Sequence, residues 1–259
     1  YASLNSAVVA LRLRDGSRMW SCKTEFPVDF APAHVTLSLK NNKPFICAVD
    51  RGGVFTCVDA VRGKKVFSRK LETPPAAPPC AVKSRVFVLD RAGNLHRFNL
   101  LYEKYVKKVF IPELKGADKG TLFVHNGKML FHTPGTLFHL DPDGKIIKSA
   151  SCGKNVRFSG EQFFWQEKDT VHILSPADFS KHHLELASPV PIRGLIAANS
   201  SHVCAVTADT KLLLFSAADG TMRYGLGFEE KDTVRFAVFS GNGLYITSRS
   251  GHLFRYSVK

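Results

Sequence analysis

The sequence has no long uninterrupted apolar segment. Its longest apolar runs, such as residues 212–215, have the length of a β-strand, far short of the roughly eighteen residues that a membrane helix needs. Acidic residues are also few, 22 against 36 lysines and arginines, which leaves a formal net charge of +14. We therefore expect no transmembrane segment, and we expect acidic or polyanionic partners.

Motifs that carry chemistry are missing as well. The sequence contains neither a G-x-S-x-G nucleophile elbow nor a phosphate-binding G-x-x-x-x-G-K-[ST] loop. The G-x-G fragments at 225–227 and 241–243 lack a third glycine, so they indicate turns. Ten histidines are scattered, and the adjacent His182 and His183 would point to opposite faces of a strand. We predict no catalytic residue, no cofactor and no metal site, and we predict that the protein is not an enzyme.

The cysteines form no C-x-x-C pair and no cluster. A disulfide framework is typical of short, cysteine-dense secreted chains, which this sequence does not resemble. Free, buried thiols are expected instead, and they favour a reducing, intracellular compartment. The lone glycosylation sequon at 199–201 points the other way, and cytoplasm, nucleus and organelle all stay open. The six residues are Cys22, Cys47, Cys57, Cys80, Cys152 and Cys204.

One short unit recurs seven times: a small or polar turn residue, then a strand with apolar residues two and five places later. The turn residues are Ser6, Gly53, Gly93, Gly135, Asp169, Thr210 and Gly251. The residues two places later are Val8, Phe55, Leu95, Leu137, Val171, Leu212 and Leu253. The residues five places later are Leu11, Val58, Phe98, Leu140, Leu174, Phe215 and Tyr256. About four strand-sized runs in each interval of 34 to 47 residues are typical of a propeller blade.

Two further positions of the unit carry predictions. The residue after the second apolar position is short and polar in six units, which suits the start of a turn. His96 and His172 both lie three places after a turn residue, so we expect them to pack inside their blades. The six polar residues are Asp59, Asn99, Asp141, Ser175, Ser216 and Ser257.

These units predict an all-β fold, a single β-propeller domain over residues 1–259 with four-stranded antiparallel blades. Seven blades are favoured, and a six-bladed ring with one surplus hairpin is the alternative. Tyr1 aligns partway along a second strand, and the last unit ends at its third strand. We therefore expect about 25 to 30 residues upstream, which would supply the missing strands and close the ring.

The hairpin between the third and fourth strands resembles the PQQ-type repeats of quinoprotein-like propellers. Residues 10–20, 57–67 and 215–224 carry this resemblance, through an apolar pair, a turn and a closing aromatic residue. WD40 repeats are the second choice, because the sequence has no Trp-Asp dipeptide. The resemblance implies a quinoprotein-like enzyme only as a remote alternative. Such enzymes have larger rings and a vicinal cysteine pair, which this chain lacks.

Positive charge is concentrated on the outer hairpins of the first repeats. This basic arc either protects the outer sheet edges from pairing or contacts a polyanion, and both explanations stay open. The residues predicted to form it are Arg12, Arg14, Arg18, Arg62, Lys64, Lys65, Arg69, Lys70, Lys104, Lys107 and Lys108.

The function predicted from these observations is a non-catalytic interaction scaffold, a monomeric propeller within a hetero-complex. Its basic arc would meet an acidic protein surface, and binding of an RNA or DNA backbone is the alternative. The proline-rich connection at 72–80 is predicted to be a stiff, exposed loop, which suits either a strand crossing or recognition.

Overall fold

A computed structural model describes residues 1–3, 5–12, 14–37, 42–117, 120–125, 127–153, 156–159, 162–167, 170–175, 177–186, 188, 190–209, 211–226, 234–240, 242–248, 250 and 252–258. Within these ranges the structure has twenty-six β-strands and a short 3-10 helix at Pro112–Leu114. No helix in this part of the chain has the length and apolar content needed to cross a bilayer. The chain divides into two compact units, Tyr1–Ala150 and Ser151–Lys259. The single-domain arrangement stays a prediction.

The first unit consists of four antiparallel sheets in which neighbouring strands follow chain order. Sheet 1 contains β1 (Ala2–Ser3), β2 (Ala7–Leu11) and β3 (Arg18–Lys23). Sheet 2 contains β4 (Ala33–Leu37), β5 (Lys43–Val49), β6 (Val54–Asp59) and β7 (Lys65–Lys70). Sheet 3 contains β8 (Cys80–Val82), β9 (Arg85–Leu89), β10 (Asn94–Asn99) and β11 (Lys104–Phe110). Sheet 4 contains β12 (Thr121–His125), β13 (Lys128–Thr133), β14 (Thr136–Leu140) and β15 (Ile146–Ser151).

The second unit consists of three antiparallel sheets with the same chain-order topology. Sheet 5 contains β16 (Arg157–Ser159), β17 (Gln162–Glu167), β18 (Thr170–Leu174) and β19 (Lys181–Glu185). Sheet 6 contains β20 (Ile192–Ala198), β21 (His202–Thr207), β22 (Leu212–Ser216) and β23 (Met222–Leu226). Sheet 7 contains β24 (Val234–Ser240), β25 (Gly243–Ser248) and β26 (Leu253–Ser257).

Each repeat of the sequence corresponds to a strand that follows a tight turn, and in sheets 2 to 6 this is the third of four strands. The apolar residues two and five places after the turn point to opposite faces of that strand, because side chains alternate along it. They therefore contact different neighbours. The predicted turn residues Asp169, Thr210 and Gly251 lie outside the described residues.

Within each unit, the first apolar residue of one sheet packs against the second apolar residue of the next sheet. The rings of Phe55 and Phe98 show this arrangement, with centroids 3.8 Å apart and planes 11° from parallel. Leu11 and Leu253 are exceptions, with exposed fractions of 39% and 66%. The other pairs that share an apolar cluster are Val8 with Val58, Leu95 with Leu140, Val171 with Phe215, and Leu212 with Tyr256.

The polar residues after this strand begin the next turn, as predicted. Asp59 Oδ1 accepts hydrogen bonds from the backbone N–H groups of Val61 and Arg62, both at 3.0 Å. Such side-chain acceptors replace a backbone partner and fix the turn. Equivalent bonds are accepted by the side chains of Asn99, Asp141, Ser175 and Ser216.

A second set of turn acceptors, absent from the sequence-based predictions, lies at the ends of second strands. Asp50 and Asp90 each accept a 2.8 Å hydrogen bond from a backbone N–H four residues later. Thr207 and Ser248 do the same through their hydroxyl oxygens, at 3.0 and 3.1 Å. All four side chains are buried, and the hydrogen bonds satisfy groups that would otherwise destabilise the core.

The cysteines lie where the sequence predicts. All six are free, five are buried, and Cys152 is partly exposed. Burial raises the pKa of the Cys204 thiol to about 12, so this group remains a protonated, weakly polar core residue. Cys47 and Cys57 face each other directly across β5 and β6.

The prediction of an exposed loop at 72–80 is wrong for most of its residues. Pro75, Ala76 and Ala77 are buried. Ala76 donates a backbone hydrogen bond to the carbonyl of Leu89, so the segment continues the sheet beside β9. Proline fits here because it needs no hydrogen-bond partner for a backbone N–H.

Candidate interaction surface

The structure places the eleven residues of the predicted basic arc on three outer hairpins of the first unit. Arg12, Arg14 and Arg18 belong to the β2–β3 hairpin. Arg62, Lys64, Lys65, Arg69 and Lys70 belong to the β6–β7 hairpin. Lys104, Lys107 and Lys108 lie on β11. All are exposed except Lys107, which is half-buried.

The first two of these hairpins are joined by Trp20. Its indole Nε1–H on β3 donates a 2.9 Å hydrogen bond to the carbonyl of Ala60 in the β6–β7 turn. Its ring packs against a cluster that contains Val8 and Val58. The basic residues of both hairpins therefore lie on neighbouring parts of one surface.

Gly63 makes the contact with Trp20 possible. Its φ of +69° suits glycine, and a Cβ built at this position would lie 2.6 Å from Trp20 Cγ. Gly16 has the same φ in the neighbouring hairpin, where a Cβ would meet nothing within 4 Å. The turn at 59–64 is thus constrained by backbone conformation and by the ring that covers it.

Of the eight predicted cations on these two hairpins, Arg12, Arg69 and Lys70 contact Ser17 or an aromatic ring. The other five form no ion pair, side-chain hydrogen bond or cation–π contact with any residue in the described ranges. We call them the basic hairpin surface: Arg14, Arg18, Arg62, Lys64 and Lys65. Their field reaches inward, since burial raises the pKa of the Cys22 thiol while the charge of Lys65 opposes that rise. Exposed cations that lack an ion-pair partner attract anionic groups.

The third hairpin differs because acidic residues neutralise it. Lys108 forms an ion pair with Glu72, which raises the pKa of the Lys108 ammonium group. Lys107 Nζ lies 2.9 Å from Asp143 Oδ1, and this hydrogen bond is the main reason that the pKa of Asp143 is lowered. Arg97 also pairs with Asp143 at 3.0 Å. This part of the predicted arc presents less net charge than its sequence indicates.

Three other cations of the predicted arc lie over aromatic rings. Arg69 lies 5.3 Å from the centroid of Tyr105, and Lys70 lies 5.3 Å from that of Phe26. Lys104 lies 5.5 Å from the centroid of the Tyr102 ring. Cation–π contacts of this kind support the local packing, so these side chains have a role within the sheet.

Apolar side chains are exposed beside the basic hairpin surface. Met19 and Val61, which adjoin Arg18 and Arg62 in the chain, have exposed fractions of 57% and 67%. The surface therefore combines cations with apolar contact area.

The two histidines with related repeat positions pack as predicted. His96 is buried on β10, with Nε2 2.9 Å from Asp90 Oδ2. Burial acts to raise the pKa of Asp90, but hydrogen bonds from His96 and Asn94 outweigh it and lower the pKa to about 2. His172 stacks on the ring of Trp165, with centroids 5.1 Å apart.

No group of three or more metal-ligating side chains converges in the described part of the chain. A different arrangement was missed by the sequence-based predictions. The β5–β6 and β9–β10 turns carry the related tetrapeptides 50–53 and 90–93, Asp-Arg-Gly-Gly and Asp-Arg-Ala-Gly. Their arginines, Arg51 and Arg91, line one groove. The repeated tetrapeptide was the sequence feature that could have predicted two equivalent arginines at these turns.

The sheets, their shared strand order and their face-to-face apolar contacts within each unit match the blades of a β-propeller. No family model and no curated protein matches the sequence. The fold is similar to those of several solved structures. BamB from Moraxella catarrhalis is 12% identical with a TM-score of 0.65, over 100% of this chain and 87% of that chain.

Two further solved structures, one of them a WD40 domain, share this fold. The C-terminal WD40 domain of Sif2 is 11% identical with a TM-score of 0.64, over 94% of this chain and 73% of that chain. A chain from the mitotic checkpoint complex is 11% identical with a TM-score of 0.61, over 99% and 85% of the two chains. At these identities the likeness shows the fold alone. It confirms the predicted resemblance to PQQ-like and WD40-like propellers.

Proposed function

We propose that this protein is a seven-bladed, non-catalytic scaffold whose basic hairpin surface binds an acidic protein segment within a larger assembly. Seven sheets with one strand order in the described residues support the blade number. Free, buried thiols support a reducing, intracellular location. One of the similar propellers was solved as part of a protein complex.

The observation that carries the proposal is the position of the unpaired cations. Arg14, Arg62 and Lys64 lie in hairpin turns, outside the strands. Lysine and arginine protect a sheet from edge pairing only when they lie along its edge strand. Edge protection therefore does not account for these three charges, whereas an anionic partner does.

A protein partner is favoured over a nucleic acid because of the exposed apolar residues. Met19 and Val61 offer contact area of the kind that protein interfaces bury, where methionine and arginine are enriched. A phosphate backbone would use the charges and leave these side chains in water. Binding to an RNA or DNA backbone is the alternative function.

The test removes three charges from the basic hairpin surface and compares the result with a matched variant. Arg62→Gln, Lys64→Gln and Lys65→Gln together should weaken partner binding about five- to a hundredfold, since each exposed charge contributes a few tenths to one kcal/mol. The control, Lys104→Gln, Lys107→Gln and Lys108→Gln, removes the same charge from a hairpin that acidic residues already neutralise. Because the control loses two exposed ion pairs and one cation–π contact, it should unfold at a slightly lower urea concentration than the first variant.

The full-length protein would be cross-linked in a lysate of its native cells with a carbodiimide, which joins lysine amines to carboxylates, with and without nuclease. Cross-links from Lys64 and Lys65 to acidic protein segments that survive nuclease support the proposal. Cross-links lost with nuclease favour the nucleic-acid alternative. Equal partner binding by both triple variants would contradict any role of this surface, and tight stoichiometric binding of pyrroloquinoline quinone would contradict the non-catalytic assignment.

A further inference from the structure

Two equivalent turns of the first unit hold their arginines in a fixed place. The backbone N–H of Arg51 donates to the carbonyl of Pro27 at 2.8 Å, and that of Arg91 donates to Pro74 at 2.9 Å. Each arginine follows a buried aspartate that caps its turn. Both backbones are therefore tied to the connection that precedes their sheet.

The two arginines line a small groove of about 30 Å³ that opens to solvent. Its other lining residues are Asp29, Phe30, Pro74 and Pro75. The groove has a rigid wall, because Pro75 is buried and bridges to Asp90 in the sheet. A preformed wall lowers the entropic cost of binding an extended segment.

The groove already holds one carboxylate. Arg51 binds Asp29 through two hydrogen bonds of 2.8 and 2.7 Å. The pKa of Asp29 is lowered, first by the hydrogen bond from Arg51 and further by the charge of Arg91. The charges of both arginines thus act on the same carboxylate.

Stability does not explain the Arg51–Asp29 pair. The side chains of Arg51 and Asp29 have exposed fractions of 65% and 45%, and exposed ion pairs contribute little to folding, roughly 0–1 kcal/mol. Arg51 and Asp29 lie at the mouth of a rigid groove, and an exposed pair can exchange one partner for a group of another molecule. This arrangement suits recognition of a ligand. An arginine fork binds a carboxylate in the same bidentate geometry whichever chain supplies it.

We infer that this groove binds an extended acidic peptide, whose carboxylate contacts Arg51 and Arg91 and replaces or joins Asp29. Phe30 and Pro74 offer apolar contact area beside that carboxylate. This site is separate from the basic hairpin surface, and the inference does not rest on the proposed function.

The test uses the variant that lacks Arg62, Lys64 and Lys65, so that the basic hairpin surface does not capture the probe. The probe is an end-blocked, fluorescein-labelled peptide of sequence Pro-Glu-Leu-Glu-Pro, and the control peptide has lysine in place of glutamate. Polarisation should show saturable binding of the acidic peptide. Arg51→Gln and Arg91→Gln should each weaken it about tenfold, as expected for loss of a charge-assisted hydrogen bond.

Asp29→Asn should change the affinity for the acidic peptide in the opposite direction, which makes it the decisive variant. It removes a competing carboxylate, so affinity for the acidic peptide should rise about three- to tenfold. Because Asp29 is exposed, this variant should unfold at the wild-type urea concentration. Absence of saturable binding would overturn the inference. The inference would also be overturned if the lysine peptide bound more tightly than the acidic peptide and Asp29→Asn weakened that binding. The groove would then bind a cationic group.

Discussion

Replacement of Gly63 by alanine should destabilise the protein through the ring of Trp20. The substitution places a side chain at a φ of +69° and a methyl group 2.6 Å from Trp20 Cγ. The backbone conformation alone costs about 1 kcal/mol for alanine. Displacing the ring also breaks the hydrogen bond to Ala60, worth about 1 kcal/mol, and part of its packing. We expect a total loss of about 2–4 kcal/mol of unfolding free energy.

Gly16 provides a control for the backbone cost. It has the same φ in the equivalent turn, and a Cβ there meets nothing within 4 Å. Gly16→Ala should therefore cost only about 1 kcal/mol. Urea unfolding followed by far-UV circular dichroism gives both values, provided that the slopes of the transitions agree.

A double-mutant cycle isolates the clash. In a Trp20→Ala background, Gly63→Ala should cost no more than Gly16→Ala, because the ring is gone. Equal costs for the two glycine variants in the wild-type background would refute the reasoning. Trp20 would then not constrain the 59–64 turn, and the two hairpins would not be coupled through it.

Three other outcomes are expected from the described contacts. Lys83 is exposed and has a φ of +54°, so Lys83→Gly should raise the unfolding free energy by about 1 kcal/mol, measured by urea unfolding. Asp90→Ala removes the acceptor of His96 and should cost about 3 kcal/mol. In the wild type, that contribution should be lost as pH falls from about 4 through about 2. The pKa of His172 is lowered, chiefly by burial, so the folded state binds its proton less readily than the unfolded state. Stability should then fall as pH drops below about 6.5, and His172→Gln should flatten that slope in urea midpoints measured at several pH values.

The repeat pattern was readable from the sequence because it depends on local periodicity. Phe55 and Phe98 occupy repeat positions, and their opposite orientations on two strands follow from the side-chain alternation of any β-strand. The turn acceptors Asp59 and Asn99 were readable for the same reason, since their hydrogen bonds reach only two or three residues along the chain. Such features need no knowledge of distant residues.

The charge state of the outer hairpins was not readable in this way. Lys108 finds Glu72, 36 residues away, and Arg97 finds Asp143, 46 residues away. The sequence shows how many lysines each hairpin carries, but their neutralisation depends on which loops the fold brings beside them. The hydrogen bond of Trp20 was equally hard to predict, because its acceptor is the carbonyl of Ala60 in the β6–β7 turn, 40 residues away.

The prediction that the proline-rich connection at 72–80 is exposed was wrong for a different reason. Proline is common in exposed loops, and a run of prolines indicates rigidity without indicating depth. Ala76 and Ala77 were the contrary signal, since two small apolar residues within the run fit a buried crossing. Composition alone could not separate these outcomes.

The six free thiols are distributed so that chemical labelling can report opening of individual parts of the chain. Cys22 belongs to sheet 1, Cys47 and Cys57 to sheet 2, Cys80 to sheet 3 and Cys204 to sheet 6. A buried thiol reacts with an alkylating reagent only when its surroundings open, so each labelling rate measures a local opening equilibrium. Mass spectrometry of the labelled peptides would then give the order in which these parts open. Cys152, which is partly exposed, should be labelled first and would serve as the reference rate.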